Sequence, residues 1–145
     1  MRAKRRNRRA FTMVELIAII VILGLLSAVA MRSFTGVMDK TRVQTTKSSL
    51  KTLHDAVIQF KFETGRYPSE DMGLEELVVE PTDVTGWTPG GYLETTEVPQ
   101  DAWGNDFVYM RHPDSGKPFV IISYGADGEP GGEDYNADLY STDAS

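Results

Sequence analysis

The 145-residue chain has no cysteine, so no disulfide framework holds it and its redox compartment cannot be read from thiols. Its only two histidines, His54 and His112, are the only side chains whose ordinary pKa suits a base at neutral pH. His54 lies between Lys51 and Asp55, and His112 stands in a turn before Pro113, settings that suit structural or solvated imidazoles. No serine occupies a G-x-S-x-G context. A phosphate-binding glycine loop is also missing, since Gly125-Ala126-Asp127-Gly128 is acidic and would repel phosphate. Basic residues nearly vanish toward the C-terminus, where seventeen acids from Ser69 onward face only Arg111 and Lys117. There is no internal repeat and no low-complexity tract. These absences argue against an enzyme.

What is present begins at the N-terminus. Residues 1–10, MRAKRRNRRA, hold Arg2, Lys4, Arg5, Arg6, Arg8 and Arg9 with no acid, which marks this end as cytoplasmic and the remainder as exported. Without that segment the chain keeps nine basic and twenty-one acidic residues, a formal charge of −12, so nucleic acid is no partner of the exported part. Directly behind comes an apolar run from Phe11 to Met31, twenty-one residues long. As a helix it would extend about 30 Å, enough to cross a bilayer core. Its one charge is Glu15. A carboxylate inside a membrane span costs roughly 2.5 to 3.5 kcal/mol on insertion scales, so it reads as a functional group awaiting a partner. A second reading is a secretory signal cut after Ala30 in the A-x-A-like Ala28-Val29-Ala30, releasing a secreted calcium-binding module. Against it stand Glu15 at the entrance to the apolar region and the lack of Pro or Gly between Leu25 and Ala30.

The helical pattern continues past the apolar run. Val43, Leu50, Leu53, Val57 and Phe60 form an amphipathic stripe, with Lys40, Arg42, Lys47, Ser48, Lys51 and Lys61 on other faces. Thr64-Gly65 followed by Pro68 supplies the stop. One helix over residues 11–63 would be about 80 Å long. The alternative is two helices joined by a linker at residues 32–36. The remaining residues, 65–145, are too few for a self-sufficient core and need the helical stripe beneath a sheet. In this head Ser69 reads as the N-cap of a short helix through Leu74, Leu77 and Val78. Residues 106–111 and 119–124 read as an antiparallel hairpin around a turn at 112–118, and residues 86–103 as a long ordered loop. In residues 99–105, Trp103 anchors a turn that Gly104-Asn105 reverses.

The last constellation is chemical. Asp127, Glu129, Glu133, Asp134, Asn136 and Asp138 place six oxygen-bearing side chains within twelve residues, interleaved with Gly125, Gly128, Gly131 and Gly132. Hard oxygen donors on such a loop suit Ca²⁺, while the lack of His and Cys disfavours zinc. The spacing does not follow the EF-hand pattern, and composition alone leaves a solvated acidic tail equally open.

Ala10-Phe11-Thr12-Met13-Val14-Glu15, behind basic residues and before an unbroken apolar helix, resembles the leader of type IV pilins and pseudopilins, F-T-x-x-E. Two positions depart from that pattern: Ala10 stands where the family has Gly, and Arg32 where it has a helix-kinking Pro. Five further segments strengthen the resemblance toward the major pseudopilins of type II secretion systems. In order they are 65–68 (GRYP), 72–77 (MGLEEL), 91–93 (GYL), 98–105 (VPQDAWGN) and 123–128 (SYGADG).

The resemblance implies an α+β, type IV pilin-like fold, in which a long N-terminal helix packs on a small antiparallel sheet that carries a calcium-binding loop. It implies a leader over 1–10 cleaved between Ala10 and Phe11 by a prepilin peptidase, with N-methylation of Phe11. A filament-core or membrane helix would follow over 11–33, an amphipathic continuation over 34–64 and a periplasmic head over 65–145. Glu15 would pair with the amino terminus of a neighbouring subunit, a carboxylate and an ammonium neutralising each other in low dielectric. Calcium would fall to Asp127 and Asp134, with Asn136, Asp138 and the Tyr124 carbonyl as further ligands and Glu129 and Glu133 outside the set. The implied function is a structural pseudopilus subunit, single-pass in the inner membrane, that polymerises to drive export of folded proteins across the outer membrane. Implied partners are copies of itself, minor pseudopilins, the peptidase, the inner-membrane secretion platform and membrane lipid. A type IV pilus or minor pilin subunit is the alternative within the class.

Overall fold

The computed structural model describes residues 11–143, except the side chains of 31–36; the leader and Ala10 lie outside the described residues. The chain divides into two compact units, one ending at Met38 and one beginning at Asp39. Helix α1, Met13–Thr64, is assigned without interruption, so no linker breaks the helix at residues 32–36.

In the first unit α1 starts on a side-chain cap. The Glu15 N–H donates to Thr12 Oγ1 at 3.2 Å, and the Leu16 N–H bonds the Thr12 carbonyl at 3.1 Å. A hydroxyl at the N-cap satisfies one of the donors that every helix leaves open at its start. The stretch Met13–Ala30 is long and apolar enough to cross a membrane, and none of it is buried in the structure. Ile17, Ile20, Leu23 and Leu26 are all more than half exposed. Apolar side chains on every face of a helix have no favourable place in water, so this segment requires lipid or other helices around it.

In the second unit the amphipathic stripe is buried as its spacing predicts. Leu50, Leu53, Val57 and Phe60 are fully inaccessible and join Ala56, Leu74, Leu77, Phe107, Phe119 and Ile121 in one core. Val43, at the far end of the stripe, is only partly covered. The helix ends at Gly65, whose φ of +82° and N–H bond to the Lys61 carbonyl (2.9 Å) close the last turn.

Strands β1 (Val108–Arg111), β2 (Phe119–Ser123) and β3 (Leu139–Tyr140) form one antiparallel sheet in the order β1-β2-β3. Val108 pairs with Ile122 and Arg111 with Phe119, while Ile122 also pairs with Tyr140. The hairpin thus matches the sequence reading with slightly shorter strands. The central strand β2 is buried at every residue, which accords with its unbroken apolar run from Phe119 to Ile122 before the buried Ser123.

Two readings are corrected. The short helix is a 3-10 turn over Gly73–Leu77, starting later than a Ser69 cap implies. Ser69 does contribute, accepting the Met72 N–H on Oγ at 3.3 Å, but its hydroxyl donates to Glu76 Oε1 at 2.5 Å, which ties it to a buried carboxylate. The turn at 99–105 is held chiefly by Asp101, which is buried, whereas Trp103 is only partly buried and its indole Nε1 has no hydrogen-bond partner.

The long loop reaches back over the core without forming a strand. Trp87 Nε1 donates to the Glu76 carbonyl at 2.9 Å, and the Tyr92 N–H to the Leu77 carbonyl at 2.8 Å. Tyr92 meets the Phe60 ring edge-on at 5.4 Å. Gly91 permits this approach, because a Cβ there would stand 2.7 Å from the Leu77 carbonyl oxygen.

Candidate functional sites

The first site is the start of α1. Phe11 is 74% exposed, and Glu15 occupies the third helical position, with its backbone N–H held by the Thr12 cap. The F-T-x-x-E pattern therefore has a local meaning of its own: it is the threonine-x-x-glutamate spacing of a capped helix start. An acid in the first turn is favoured by the helix dipole. This cap uses the Glu15 backbone and fixes where the helix begins, two residues after the one that would become the new N-terminus. Ala10, the other half of the expected cleavage pair, lies outside the described residues.

The second site is the acidic loop. Its two ends meet through backbone, the Ala126 N–H donating to the Tyr135 carbonyl at 2.9 Å, and the far end is itself turned by the Asn136 N–H bond to the Glu133 carbonyl at 3.1 Å. Gly125 has φ +66° and lies so close to the Tyr135–Asn136 backbone that a Cβ would come within 2.8 Å of it. Tyr124 and Gly125 are thereby placed beside the segment bearing Asp134 and Asn136. Asp134 itself takes a left-handed φ of +55°, a conformation that Asp tolerates better than most residues. Asp127 Oδ1 accepts the Glu129 N–H at 3.2 Å. Asp138 accepts the Gly131 N–H on Oδ1 (2.9 Å) and the Tyr140 hydroxyl on Oδ2 (3.1 Å), while burial and the neighbouring Asp138 push the Tyr140 phenol above its usual pKa. Among the described residues, no three or more His, Cys, Asp or Glu side chains gather as a metal-holding group. Backbone closes the loop, while the carboxylates of Asp127, Asp134 and Asp138 are not drawn together. The donors available there are oxygen throughout, which fits a hard cation.

Two residues that sequence reasoning assigned only to a turn hold this loop in place. Asn105 Nδ2 donates to the Gly125 carbonyl at 2.9 Å, and a Cβ on Gly128 would stand 3.2 Å from Asn105 Oδ1. Asp101 Oδ1 accepts the N–H groups of Trp103 (3.0 Å) and Asn105 (2.9 Å), and Oδ2 accepts the Ser123 hydroxyl at 2.6 Å. The signal was present in the Asp101-to-Asn105 spacing, a self-bonded Asx turn, but its link to Ser123 spans 22 residues and has no local signature.

A capped apolar helix start with a single acid, followed by a helix packed under a small antiparallel sheet, defines a pilin-type, membrane-anchored subunit. Comparison with known proteins places it further. The family described as type II secretion system (T2SS), protein G matches residues 33–142, and the prokaryotic N-terminal methylation motif matches residues 5–31. The type II secretion system core protein G of Pseudomonas aeruginosa is 36% identical over 97% of this chain and 99% of its own length. That of Vibrio cholerae is 34% identical over 94% and 92%. A crystal structure of the major pseudopilin from the type 2 secretion system of enterohaemorrhagic Escherichia coli superposes with a TM-score of 0.60 at 30% identity, covering 73% of this chain and 90% of that one. The chain belongs to the protein G family of the type II secretion system and is a structural pseudopilus subunit. The alternative of a secreted module freed after Ala30 is not favoured by these matches.

Proposed function

We propose that the chain is cut between Ala10 and Phe11 by a prepilin peptidase, methylated on the Phe11 amine and polymerised through α1 into a short filament. The filament acts with the secretion platform and minor pseudopilins to push folded proteins across the outer membrane. The leader stays cytoplasmic, the apolar half of α1 sits in the inner membrane before assembly, and the head is periplasmic. Work comes from subunit addition driven by a motor outside this chain, and the chain itself performs no catalysis. The placement of its histidines agrees, since His54 stacks on Phe119 at 4.9 Å and His112 stands exposed at the end of the hairpin strand.

The observation that carries this reading is a carboxylate in the first turn of a helix whose apolar Met13–Ala30 stretch is not buried in the structure. In a low-dielectric surround an unpaired Glu15 is costly, and the amine exposed by cleavage on a neighbouring copy is the nearest chemical complement. Each subunit then docks in the register that joins the two charges. Ca²⁺ is the cofactor that the head's donors suit: the Asp127, Asp134 and Asp138 carboxylates, the Asn136 amide oxygen and the Tyr124 carbonyl would hold it. The ion would neutralise acids that backbone closure already brings into one loop.

Mass spectrometry of the mature protein tests the processing step. N-methylated Phe11 at the terminus supports it, and a terminus at Met31 refutes it. Glu15→Ala tests the pairing, because it leaves the Thr12 cap to the backbone N–H intact; assembly is expected to fail while the head stays folded. Polymerisation of this variant at wild-type levels refutes the pairing.

A further inference from the structure

The solvent face of the C-terminal half of α1 is not uniformly polar. Lys40, Lys47, Lys51, Ile58 and Phe62 recur at spacings of 7, 4, 7 and 4, which keeps them within about 60° of one another around the helix. Asp55 is the acid on the same strip. Phe62 is 88% exposed and Ile58 43%, side by side one turn apart, and none of the three lysines has an ion pair among the described residues. The strip is therefore cationic at one end and apolar at the other. An exposed phenylalanine one helical turn from an exposed isoleucine marks a contact surface more than a solvated face.

The head of the same unit carries the complement. A cavity of about 330 Å³ opens between the Gly73–Leu77 turn and β1, rimmed by Glu70, Asp71, Glu75 and Asp106, with Met72 and Val98 among its apolar walls. Met72 is 42% exposed. The depression continues past Val98 and Pro99 to Glu97, and no lysine or arginine lines either part.

We infer that the Lys47, Lys51, Ile58 and Phe62 strip of one subunit seats in the acidic, apolar-floored groove around Met72 and Glu75 of a second copy of this chain. Two different, mutually complementary surfaces on one chain make a heterologous contact, and a heterologous contact that does not close into a ring generates an open filament. Charge complementarity fixes the direction: like strips repel through their lysines and like grooves through their acids, so only strip against groove is favourable. The inference rests on the filament reading and adds to it a contact outside the apolar half of α1 and distinct from the Glu15 pairing.

The absence of native cysteine makes the test direct. Full-length copies carrying Phe62→Cys are co-expressed with copies carrying Met72→Cys, assembled in the membrane and oxidised. A covalent dimer of twice the chain mass is expected in the mixed sample at roughly tenfold or more its level in either variant alone. In addition, Lys47→Glu with Lys51→Glu is expected to cut filament yield by roughly tenfold, and adding Glu70→Lys with Glu75→Lys to the same chain to restore it. The inference is overturned by wild-type filaments that give no mixed-sample dimer, by equal dimer from Phe62→Cys alone, by an adduct with a different protein, or by charge-swapped chains that stay defective. Should wild-type chains themselves form no filaments, the filament reading fails first and is distinguished by that control.

Discussion

The Ser123 hydroxyl donates to Asp101 Oδ2 at 2.6 Å, joining the end of β2 to the turn that precedes β1. Both residues are buried, and Oδ1 of the same carboxylate is filled by the Trp103 and Asn105 N–H groups. Asp101 thus gathers three donors at the point where the sheet meets the acidic loop, since Asn105 in turn holds the Gly125 carbonyl.

Removing that carboxylate leaves one buried donor, the Ser123 hydroxyl, and two part-buried N–H groups, those of Trp103 and Asn105, without their acceptor. Asp101→Ala is expected to lower head stability by about 3 to 5 kcal/mol, because hydrogen bonds to a charged group are each worth about 1.5 to 3 kcal/mol and lost bonds leave desolvated partners. Asp101→Asn keeps one carbonyl acceptor and should cost less. Urea unfolding of both variants checks the order, and equal stability of Asp101→Ala and wild type would refute it.

Glu76 supplies a second buried carboxylate. It is 1% exposed, takes Arg66 Nη1 at 2.7 Å on Oε2, and receives the Ser69 hydroxyl on Oε1, while Arg66 Nη2 reaches exposed Asp83 at 2.7 Å. Glu76→Ala is expected to cost about 3 kcal/mol, the range found on breaking a buried pair from one side. Asp83→Ala should cost under about 1 kcal/mol, because that acid is solvated. Thermal melting of the two variants separates the buried partner from the exposed one.

Burial holds His54 below its usual imidazole pKa of 6.5, with Asp55 opposing and Lys51 assisting. A native pKa lower than the unfolded one means that the unfolded chain binds more protons just below pH 6.5, so stability rises with pH through that window and is lost as pH falls. Glu63 adds to the acid side at lower pH: its bond from the Thr88 hydroxyl, and then one from Gln59, hold its carboxyl below the usual range, so its contribution fades as pH drops through that lowered value. His54→Leu is expected to flatten the loss between about pH 7.5 and pH 5.5 without altering the Glu63 component below it. Unfolding midpoints of wild type and variant across pH decide this, and an unchanged slope above pH 5.5 excludes His54 as its source.

Elements governed by local periodicity are legible in the sequence. The stripe from Leu50 to Phe60, the Gly65 stop and the hairpin were all readable, because spacing and turn chemistry act over a few residues. The third strand was not. Leu139–Tyr140 is two residues long, and its pairing with Ile122 and Ser123 spans some sixteen residues, so no alternation could announce it. Ser69 serves a carboxylate seven residues away as well as the turn, a partner that local capping chemistry does not reveal. In the acidic loop the residue types are legible but the backbone closure is not, because it rests on the Gly125 approach to the Tyr135–Asn136 backbone and on the Asn105 bond to the Gly125 carbonyl, contacts with no local signature.

Gly125 makes that closure possible, with φ +66° and Asn136 and Tyr135 backbone atoms 2.8 Å from where a Cβ would stand. Gly125→Ala must move the 135–136 segment away, whatever the loop binds. Calcium added to the wild-type head should raise its melting temperature and excess chelator should lower it, because binding to the folded state alone stabilises by mass action. In Gly125→Ala the melting temperature should fall without calcium and the calcium increment should shrink toward zero. Asp134→Asn should lose most of the increment while melting near wild type in chelator, since the Asp134 side chain is exposed and Asn tolerates the same left-handed φ of +55°. A wild-type melt indifferent to both calcium and chelator would remove the metal from this loop and leave it a solvated acidic segment closed by backbone alone.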